Sequence, residues 1–164
     1  MKPCVVEDSN FIISVIDPDE SFHFQAILLL NELITRKNNI KIIIPSIVFF
    51  ESVIKLLQRG VSPKKVENSL WDFLYRSEIL NVTFPETAAF RIGKYLQGVN
   101  LEIKTSDLLV GHCGIEYEAQ ILTSDKTLWR ALKKNNYQKA YYWHDRQQRN
   151  DFLKELDELI RRSI

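Results

Sequence analysis

The strongest constraint on the fold is an alternation along the chain between short runs of β-branched or aromatic residues and longer runs with a helical repeat. Such alternation is typical of a parallel sheet whose connecting helices cover its faces. We therefore expect an α/β fold with a central, mostly parallel, five-stranded sheet. The predicted strands are Cys4 to Glu7, Ile40 to Ile44, Leu80 to Phe84, Ala119 to Leu122 and Ala140 to Trp143.

The helical runs are delimited by residues that favour helix ends. Gly60 follows one run in the position that a helix C-terminus prefers, while Ser62 and Pro63 suit the start of the next. The predicted helices are Phe22 to Arg36, Ser46 to Arg59, Pro63 to Arg76, Glu86 to Leu96, Thr105 or Ser106 to about Tyr117, Lys126 to Lys134, and Gln147 to Arg162.

Length and composition favour a single domain. The 164 residues, of which 45% are hydrophobic, suffice for one core and are too few for two ordinary domains. No internal repeat, low-complexity tract or linker interrupts the chain. We expect residues 1–146 to form the domain and residues 147–164 to form a C-terminal helix that packs on it or extends it.

Charge, cysteine content and hydropathy exclude several classes of protein. The 22 Lys and Arg residues nearly balance 21 Asp and Glu residues, so net charge does not mark a nucleic-acid or membrane surface. Cys4 and Cys113 offer neither a disulfide framework nor a paired metal motif. The longest apolar runs are too short for a membrane span, and the N-terminus lacks a signal-peptide pattern. We expect a soluble, cytoplasmic protein without a membrane partner.

Four acids fall where the predicted fold would bring them together. Asp8 follows the first predicted strand, and Asp125 follows the fourth strand. Glu51 lies early in the helix after the second strand, and Asp107 opens the helix before the fourth strand. Ligands of open α/β sheets bind outside the carboxyl ends of the strands, near the point where strand order reverses. The sequence therefore predicts that these four carboxylates line one small cavity.

Such a cluster requires a cation. Two carboxylates ~4 Å apart repel by about 4 kcal/mol at an effective dielectric constant of about 20. Oxygen donors without paired His or Cys favour Mg²⁺ or Mn²⁺ over zinc. A metal of this kind activates water and stabilises charge on a phosphate oxygen, so phosphodiester hydrolysis is the expected chemistry.

Small polar residues beside the acids are candidates for a supporting role. Ser9 and Asn10 directly follow Asp8, and Thr123 and Ser124 directly precede Asp125. Their side chains are of the kind that orients metal-binding carboxylates or bound water molecules. We expect them to support the acids without binding the metal.

The segments that contain the four acids resemble, in order and spacing, the acidic motifs of PIN-domain ribonucleases, and most of all those of VapC-type toxins. The segments are VVEDSNFII, IIIPSIVFFES, TSDLLVGHC and ILTSDK. The resemblance implies a PIN-like three-layer sandwich. It also implies that Asp8, Glu51, Asp107 and Asp125 are the catalytic, metal-binding residues, with Thr123 as a helper.

The same resemblance implies substrate and partners. Members of the family cleave single-stranded or loop RNA with Mg²⁺ or Mn²⁺, often as homodimers, and VapC-type toxins are silenced by an antitoxin. Two features depart from the usual pattern: His112 and Cys113 replace small aliphatic residues in the third motif, and residues 147–164 extend beyond the usual end of the compact toxins.

Each of these residues also has an ordinary structural interpretation. An acid at a strand end often forms an Asx turn or caps a helix, which applies to Asp8, Asp107 and Asp125. Glu7 should point to the opposite face of the sheet from Asp8, where we expect it to be solvated or salt-bridged. His112 is expected to be a packed or cavity-lining histidine.

The aromatic segment AYYWH and the basic residues are open to two interpretations. The aromatic side chains could stack on bases, although core or dimer packing is the simpler role. Basic side chains could contact phosphate or be ordinary solvated surface. The basic candidates are Arg59, Lys64, Lys65, Lys133, Lys134, Arg146 and Arg149.

Other classes of protein fit the motifs less well. A haloacid-dehalogenase-like phosphatase needs a second acid two residues after the first, where this chain has Asn10. A receiver-like domain needs a Lys at the last strand, which YYWHDR does not supply. A non-catalytic PIN-like module that binds RNA or protein is the more serious alternative, although such modules usually lose one or more of the acids. The sequence thus favours a metal-dependent endoribonuclease.

Overall fold

The computed structural model describes residues 2–77, 80–82 and 104–163. Five strands form one sheet in which every neighbouring pair is parallel. They are β1 (Cys4–Glu7), β2 (Lys41–Pro45), β3 (Leu80–Val82), β4 (Gln120–Thr123) and β5 (Ala140–Tyr142), in the spatial order β3-β2-β1-β4-β5. The predicted α/β fold with a parallel five-stranded sheet is confirmed.

The described helices cover the sheet in the order that the helical periodicity predicts, with one addition near the N-terminus. The predicted helix Glu86 to Leu96 and the last residues of the predicted third strand, 83–84, lie outside the described residues. The helices are α1 (Ser9–Ile16), α2 (His23–Thr35), α3 (Ser46–Gln58), α4 (Pro63–Ser77), α5 (Thr105–Glu116), α6 (Lys126–Lys134) and α7 (Arg146–Ser163).

Helix α1 is the addition, because the sequence there has no clear helical repeat. Six of its eight residues are buried, and these include the polar Ser9 and Ser14, so polar positions do not mark one solvent face. Asp8 starts the helix by accepting a hydrogen bond from the Phe11 backbone N–H. A short segment that is buried on most sides cannot be assigned from periodicity alone.

The central strands are apolar on both faces. Consecutive residues, which point to opposite faces of the sheet, are fully buried in both strands. They are Val5 and Val6 in β1 and Ile121 and Leu122 in β4. Continuous apolar runs are expected where helices cover both sides of a parallel sheet. The largest fully buried side chains are Trp143, Phe11 and Phe152.

Helix α7 packs against the rest of the domain and is joined to the end of α2 by an ion pair. Phe152, Leu156 and Ile160 are buried along one face of the helix. Arg36 donates two hydrogen bonds to the Asp157 carboxylate, with N–O distances of 2.7 and 3.2 Å. Residues 147–163 therefore contribute to the core. Within the described ranges, no helix is long and apolar enough to cross a bilayer.

The strand order determines where a ligand can bind. From β1 the chain adds β2 and β3 on one side of the sheet and then β4 and β5 on the other. The order therefore reverses between β1 and β4, whose carboxyl ends lie side by side. A crevice outside these ends is the usual ligand site of an open α/β sheet.

Candidate active site

Asp8 is held firmly at the point where the strand order reverses. Its Oδ1 accepts a hydrogen bond from the Phe11 N–H at 3.0 Å. Its Oδ2 accepts from the Thr123 hydroxyl at 2.5 Å and from the Ser124 N–H at 3.0 Å. Burial raises the pKa of Asp8 from its ordinary value, while the hydrogen bonds from Thr123, Phe11 and Ser124 and the charge of Lys55 lower it in part.

Asp125 follows β4 and is connected to Asp8 through one hydroxyl. The Asp125 N–H donates to Thr123 Oγ1 at 3.0 Å, and the same hydroxyl donates to Asp8. Asp125 Oδ1 accepts from the N–H groups of Thr127 and Leu128 at 2.6 and 3.0 Å, which caps α6. The helix-capping interpretation is thus correct for Asp8 and Asp125. Both caps use Oδ1, so capping is compatible with a second role for each carboxylate.

Glu51 lies on α3 and is paired with a lysine on the next turn. Lys55 Nζ is 2.8 Å from Glu51 Oε1. Burial would raise the pKa of Glu51, but the hydrogen bond and charge of Lys55, with hydrogen bonds from Ser106 and Ser9, lower it overall. Glu51 is therefore held in its charged form by α1, α3 and α5 together.

Asp107 lies in the first turn of α5 and experiences the charge of the other three acids. Its pKa is raised to about 6, first by burial and then by repulsion from Asp125, Asp8 and Glu51, with Lys104 opposing the shift. Four carboxylates that the sequence singled out thus interact electrostatically at one edge of the sheet.

The donor set fits a hard divalent cation, although the acids are not gathered around one point. All four groups offer carboxylate oxygens, which Mg²⁺ and Mn²⁺ prefer. Within residues 2–77, 80–82 and 104–163, no three His, Cys, Asp or Glu side chains lie close enough to hold one ion together. The mutual repulsion at Asp107 is the feature that a bound cation would relieve.

The four supporting candidates lie beside the acids. Ser9 Oγ and Asn10 Oδ1 accept hydrogen bonds from Lys55 Nζ at 3.3 and 3.4 Å. Thr123 and Ser124 both donate to Asp8, through a hydroxyl and a backbone N–H respectively. Their contacts are of the kind that orients a carboxylate or a counter-ion.

Two further residues belong to the site and were not identified from the sequence. Lys55 contacts Glu51, Ser9 and Asn10, and Ser106 hydrogen-bonds to Glu51. The acid and lysine four residues apart in ESVIK carry the signal for the first, because such pairs meet on a helix surface. No sequence signal distinguishes Ser106 from an ordinary residue at a helix start.

The prediction that Glu7 is solvated is wrong. Its side chain is fully buried, and neither carboxylate oxygen has a hydrogen-bond partner in the described part of the chain. Burial, followed by the charge of Asp8, raises its pKa to about 8. The two covered faces of the sheet explain the error, because a strand between two helical layers has no solvent side.

The aromatic segment divides into core residues and residues near the acids. Tyr141 and Trp143 are buried, and Trp143 packs edge-on against Phe11 with ring centroids 5.4 Å apart. Tyr142 is half-buried and lies beside Thr123 in the sheet register. Core packing therefore accounts for two aromatic residues, while Tyr142 lies next to the site.

Cationic and aromatic groups of α6 surround Tyr142. Lys126 Nζ is 5.4 Å from the centre of the Tyr142 ring, and the Trp129 ring is 6.3 Å from it. Lys126 is exposed and directly follows Asp125. A positive charge and two aromatic rings thus flank the carboxylates.

Three of the basic candidates for phosphate contacts already have protein partners. Arg59 pairs with Asp17 and Glu20. Lys133 and Arg149 donate to backbone carbonyls at 2.6 Å. The other candidates are exposed, namely Lys64, Lys65, Lys134 and Arg146.

Comparisons with known proteins agree with the fold. The family model described as PIN domain matches residues 5–135. The fold also matches a chain in the crystal structure of VapBC2 from Rickettsia felis bound to a DNA fragment from their promoter, with a TM-score of 0.58. That match has 22% sequence identity and covers 84% of this chain and 95% of the other. No curated protein matches the sequence. The family match spans most of the chain, which confirms the resemblance: the protein belongs to the PIN domain family, whose members are nucleases.

Proposed function

We propose that this protein is a Mg²⁺- or Mn²⁺-dependent endoribonuclease, with Asp8, Glu51, Asp107 and Asp125 as its catalytic, metal-binding acids. The observation that carries the proposal is that four acids interact at the reversal of strand order, where burial and then the charges of the other three raise the pKa of Asp107 to about 6. A folded protein that retains such repulsion usually uses it, because perturbed groups of this kind concentrate at functional sites.

The residues of the chain have separate roles in this reaction. Thr123 and Ser124 fix Asp8, and Thr123 also holds the Asp125 backbone, so the two strand ends keep a constant spacing. Asp107 and Glu51 approach from α5 and α3. A divalent ion bound here would supply an activated water molecule and stabilise charge on the phosphate. The expected products carry a 5′-phosphate and a 3′-hydroxyl.

The surroundings of Tyr142 suit single-stranded RNA. Lys126 provides a positive charge for a phosphate beside Asp125, where the acids alone would repel the backbone. Tyr142 and Trp129 provide aromatic surface on which an unpaired base can stack. Duplex RNA keeps its bases stacked internally and would not use this surface.

A toxin of a toxin–antitoxin pair is the biological role that we propose. The support is the fold match to a structure described as VapBC2. A protein partner, either a cognate antitoxin or a second copy in a homodimer, would explain large exposed apolar side chains on α3. These are Ile47, Phe50, Ile54 and Leu57, with Phe50 67% exposed.

The second candidate is a PIN-like module that binds RNA or protein without cleaving it. Two observations favour it. No three acids of the described residues lie around a common point, and Glu51 is paired with Lys55. The presence of all four acids favours the nuclease, because a pure binding module has no use for their repulsion.

A cleavage assay distinguishes the two candidates. We expect a pool of short single-stranded RNAs to be cut in Mn²⁺ or Mg²⁺ and left intact in excess EDTA. Asp107→Asn should reduce the rate by about 100-fold or more, as expected for a lost electrostatic contact to the reacting centre. Asp151→Asn, an exposed acid on α7, is the matched control. Cleavage that is unaffected by EDTA or by Asp107→Asn would contradict the proposal, and binding without cleavage would identify the module.

A further inference from the structure

The ammonium group of Lys55 lies inside the proposed active site. It is within 3.5 Å of three oxygen atoms that come from two helices: Glu51 Oε1 at 2.8 Å, Ser9 Oγ at 3.3 Å and Asn10 Oδ1 at 3.4 Å. Its side chain is 28% exposed. An ammonium group with several oxygen neighbours beside an acid cluster resembles a bound cation in its surroundings.

We propose that Lys55 is a resident cation that takes the place of a second divalent ion, so that the site binds a single Mg²⁺ or Mn²⁺. This inference rests on the proposed function and specifies how many metal ions that function uses. It refines the proposed function by pairing Glu51 with Lys55 and by leaving the divalent ion to the α5 side of the cluster, where Asp107 lies.

The distribution of charge supports this division. Lys55 Nζ lies 2.8 Å from Glu51 Oε1 and also contacts α1, so its charge compensates this side of the cluster. On the α5 side, Asp107 is partly buried beside the other three acids, and Lys104 is the cation that opposes their charge. The uncompensated side of the site is therefore at Asp107, where a divalent ion would relieve the most repulsion.

Charge balance also limits the number of ions. One divalent ion and one ammonium group do not fully neutralise the negative charge of four carboxylates. The remaining negative charge keeps the site attractive for the ion. Two divalent ions with the ammonium group would overcompensate them, and the second ion would have to displace Lys55 from Glu51. A second ion is therefore disfavoured for as long as Lys55 carries its charge.

An ordinary surface ion pair is the competing explanation. A glutamate and a lysine four residues apart on a helix stabilise it by about 0.2–0.5 kcal/mol and have no further role. Two features argue against this explanation alone. Lys55 also contacts Ser9 and Asn10 on α1, and its partner Glu51 is bound from α5 through Ser106.

The number of bound ions tests the proposal without any activity measurement. Mn²⁺ would be titrated into the full-length protein and counted by native mass spectrometry and by the electron paramagnetic resonance signal of free Mn²⁺. Wild type, Lys55→Met and Lys55→Arg would be compared. Lys41→Met is the matched control, because Lys41 is exposed at the opposite end of β2 from the site.

We expect one ion in wild type, in Lys55→Arg and in Lys41→Met, and two ions in Lys55→Met. The arginine variant retains the charge, so its behaviour separates charge from a structural effect of the substitution. Two ions in wild type, or a single ion in folded Lys55→Met, would overturn the inference and leave the proposed function standing. No bound Mn²⁺ in wild type would contradict the proposed function itself. The wild-type count keeps the test decisive even if Lys55→Met fails to fold.

Discussion

The hydroxyl of Thr123 donates a 2.5 Å hydrogen bond to Oδ2 of Asp8, and this contact joins the ends of β4 and β1 where the strand order reverses. Both residues are buried. The same hydroxyl accepts the Asp125 N–H, so one side chain sets the spacing of two acids.

Thr123→Val should lower both stability and activity. The substitution keeps the shape but leaves a buried carboxylate oxygen without one of its donors, which costs about 1–3 kcal/mol in the free energy of unfolding. Urea denaturation measures the loss. Thr123→Ser keeps the hydroxyl and should stay closer to wild type. A loss in Thr123→Ser as large as that in Thr123→Val would contradict a dominant role for the hydrogen bond.

Asp107 should make the metal-free protein less stable as the pH rises. Its pKa is 3.8 ordinarily and about 6 in the folded chain, so the folded state binds the proton more tightly than the unfolded state. Its contribution to stability therefore falls between about pH 4 and pH 6 and stays lost above that range.

Asp107→Asn should remove this pH dependence. Because the side chain is partly solvated and screened, we expect Tm in EDTA at pH 7 to rise by about 2–4 °C, corresponding to about 1 kcal/mol. Melting curves from pH 4 to pH 8 measure the effect, with Asp151→Asn as control. An unchanged profile in Asp107→Asn would mean that the repulsion at this position is negligible.

Gly114→Ala should destabilise the fold. A Cβ at this position would overlap the Cδ1 and Cγ1 atoms of Ile121, so the Ile121 side chain or α5 would have to shift. We expect a loss of about 1–3 kcal/mol, as for other overpacked cores. Gly111→Ala is the matched control, since its Cβ would meet Leu132 Cδ2 at an ordinary 3.4 Å. Similar stability of the two variants by urea denaturation would contradict the packing described for α5.

Tyr142→Ala should weaken RNA binding more than it slows the chemical step. Loss of a stacked base costs about 1–3 kcal/mol, so we expect KM to rise by about tenfold with kcat changed little. Tyr142→Phe keeps the ring and should behave as wild type. Tyr117→Ala is the control, because Tyr117 is exposed before the start of β4, at the opposite edge of the sheet. An unchanged KM in Tyr142→Ala would assign Tyr142 to packing alone.

The positions of the strands and of most helices along the chain could be predicted because each depends on local patterns. Gly60 adopts a positive φ of 82° after α3, and Ser62 accepts the Lys65 N–H at the start of α4, as their positions in the sequence indicate. Helix α1 could not be predicted, since six of its eight residues are buried and its polar residues Ser9 and Ser14 are among them, so no exposed polar face defines a helical repeat.

The location of the acids at one edge of the sheet could be predicted from the sequence. The location of the lysine that contacts them could not. Strand ends at a parallel sheet edge converge by geometry, so Asp8 and Asp125 follow from the strand assignments alone. The contact between Lys55 and α1 depends on how α3 packs against α1, which no local pattern specifies. The burial of Glu7 likewise depends on helices distant in sequence that cover both faces of β1.

The most direct test of the metal centre is the change in Tm that Mn²⁺ produces in wild type and in Asp107→Asn. A ligand at about 100 times its Kd stabilises the folded state by about 2.7 kcal/mol, which is readily seen in a melting curve. We predict a clear rise in Tm for wild type and for Asp151→Asn, and little or none for Asp107→Asn. The same rise in Asp107→Asn, or no rise in wild type, would contradict a divalent-ion site among these acids.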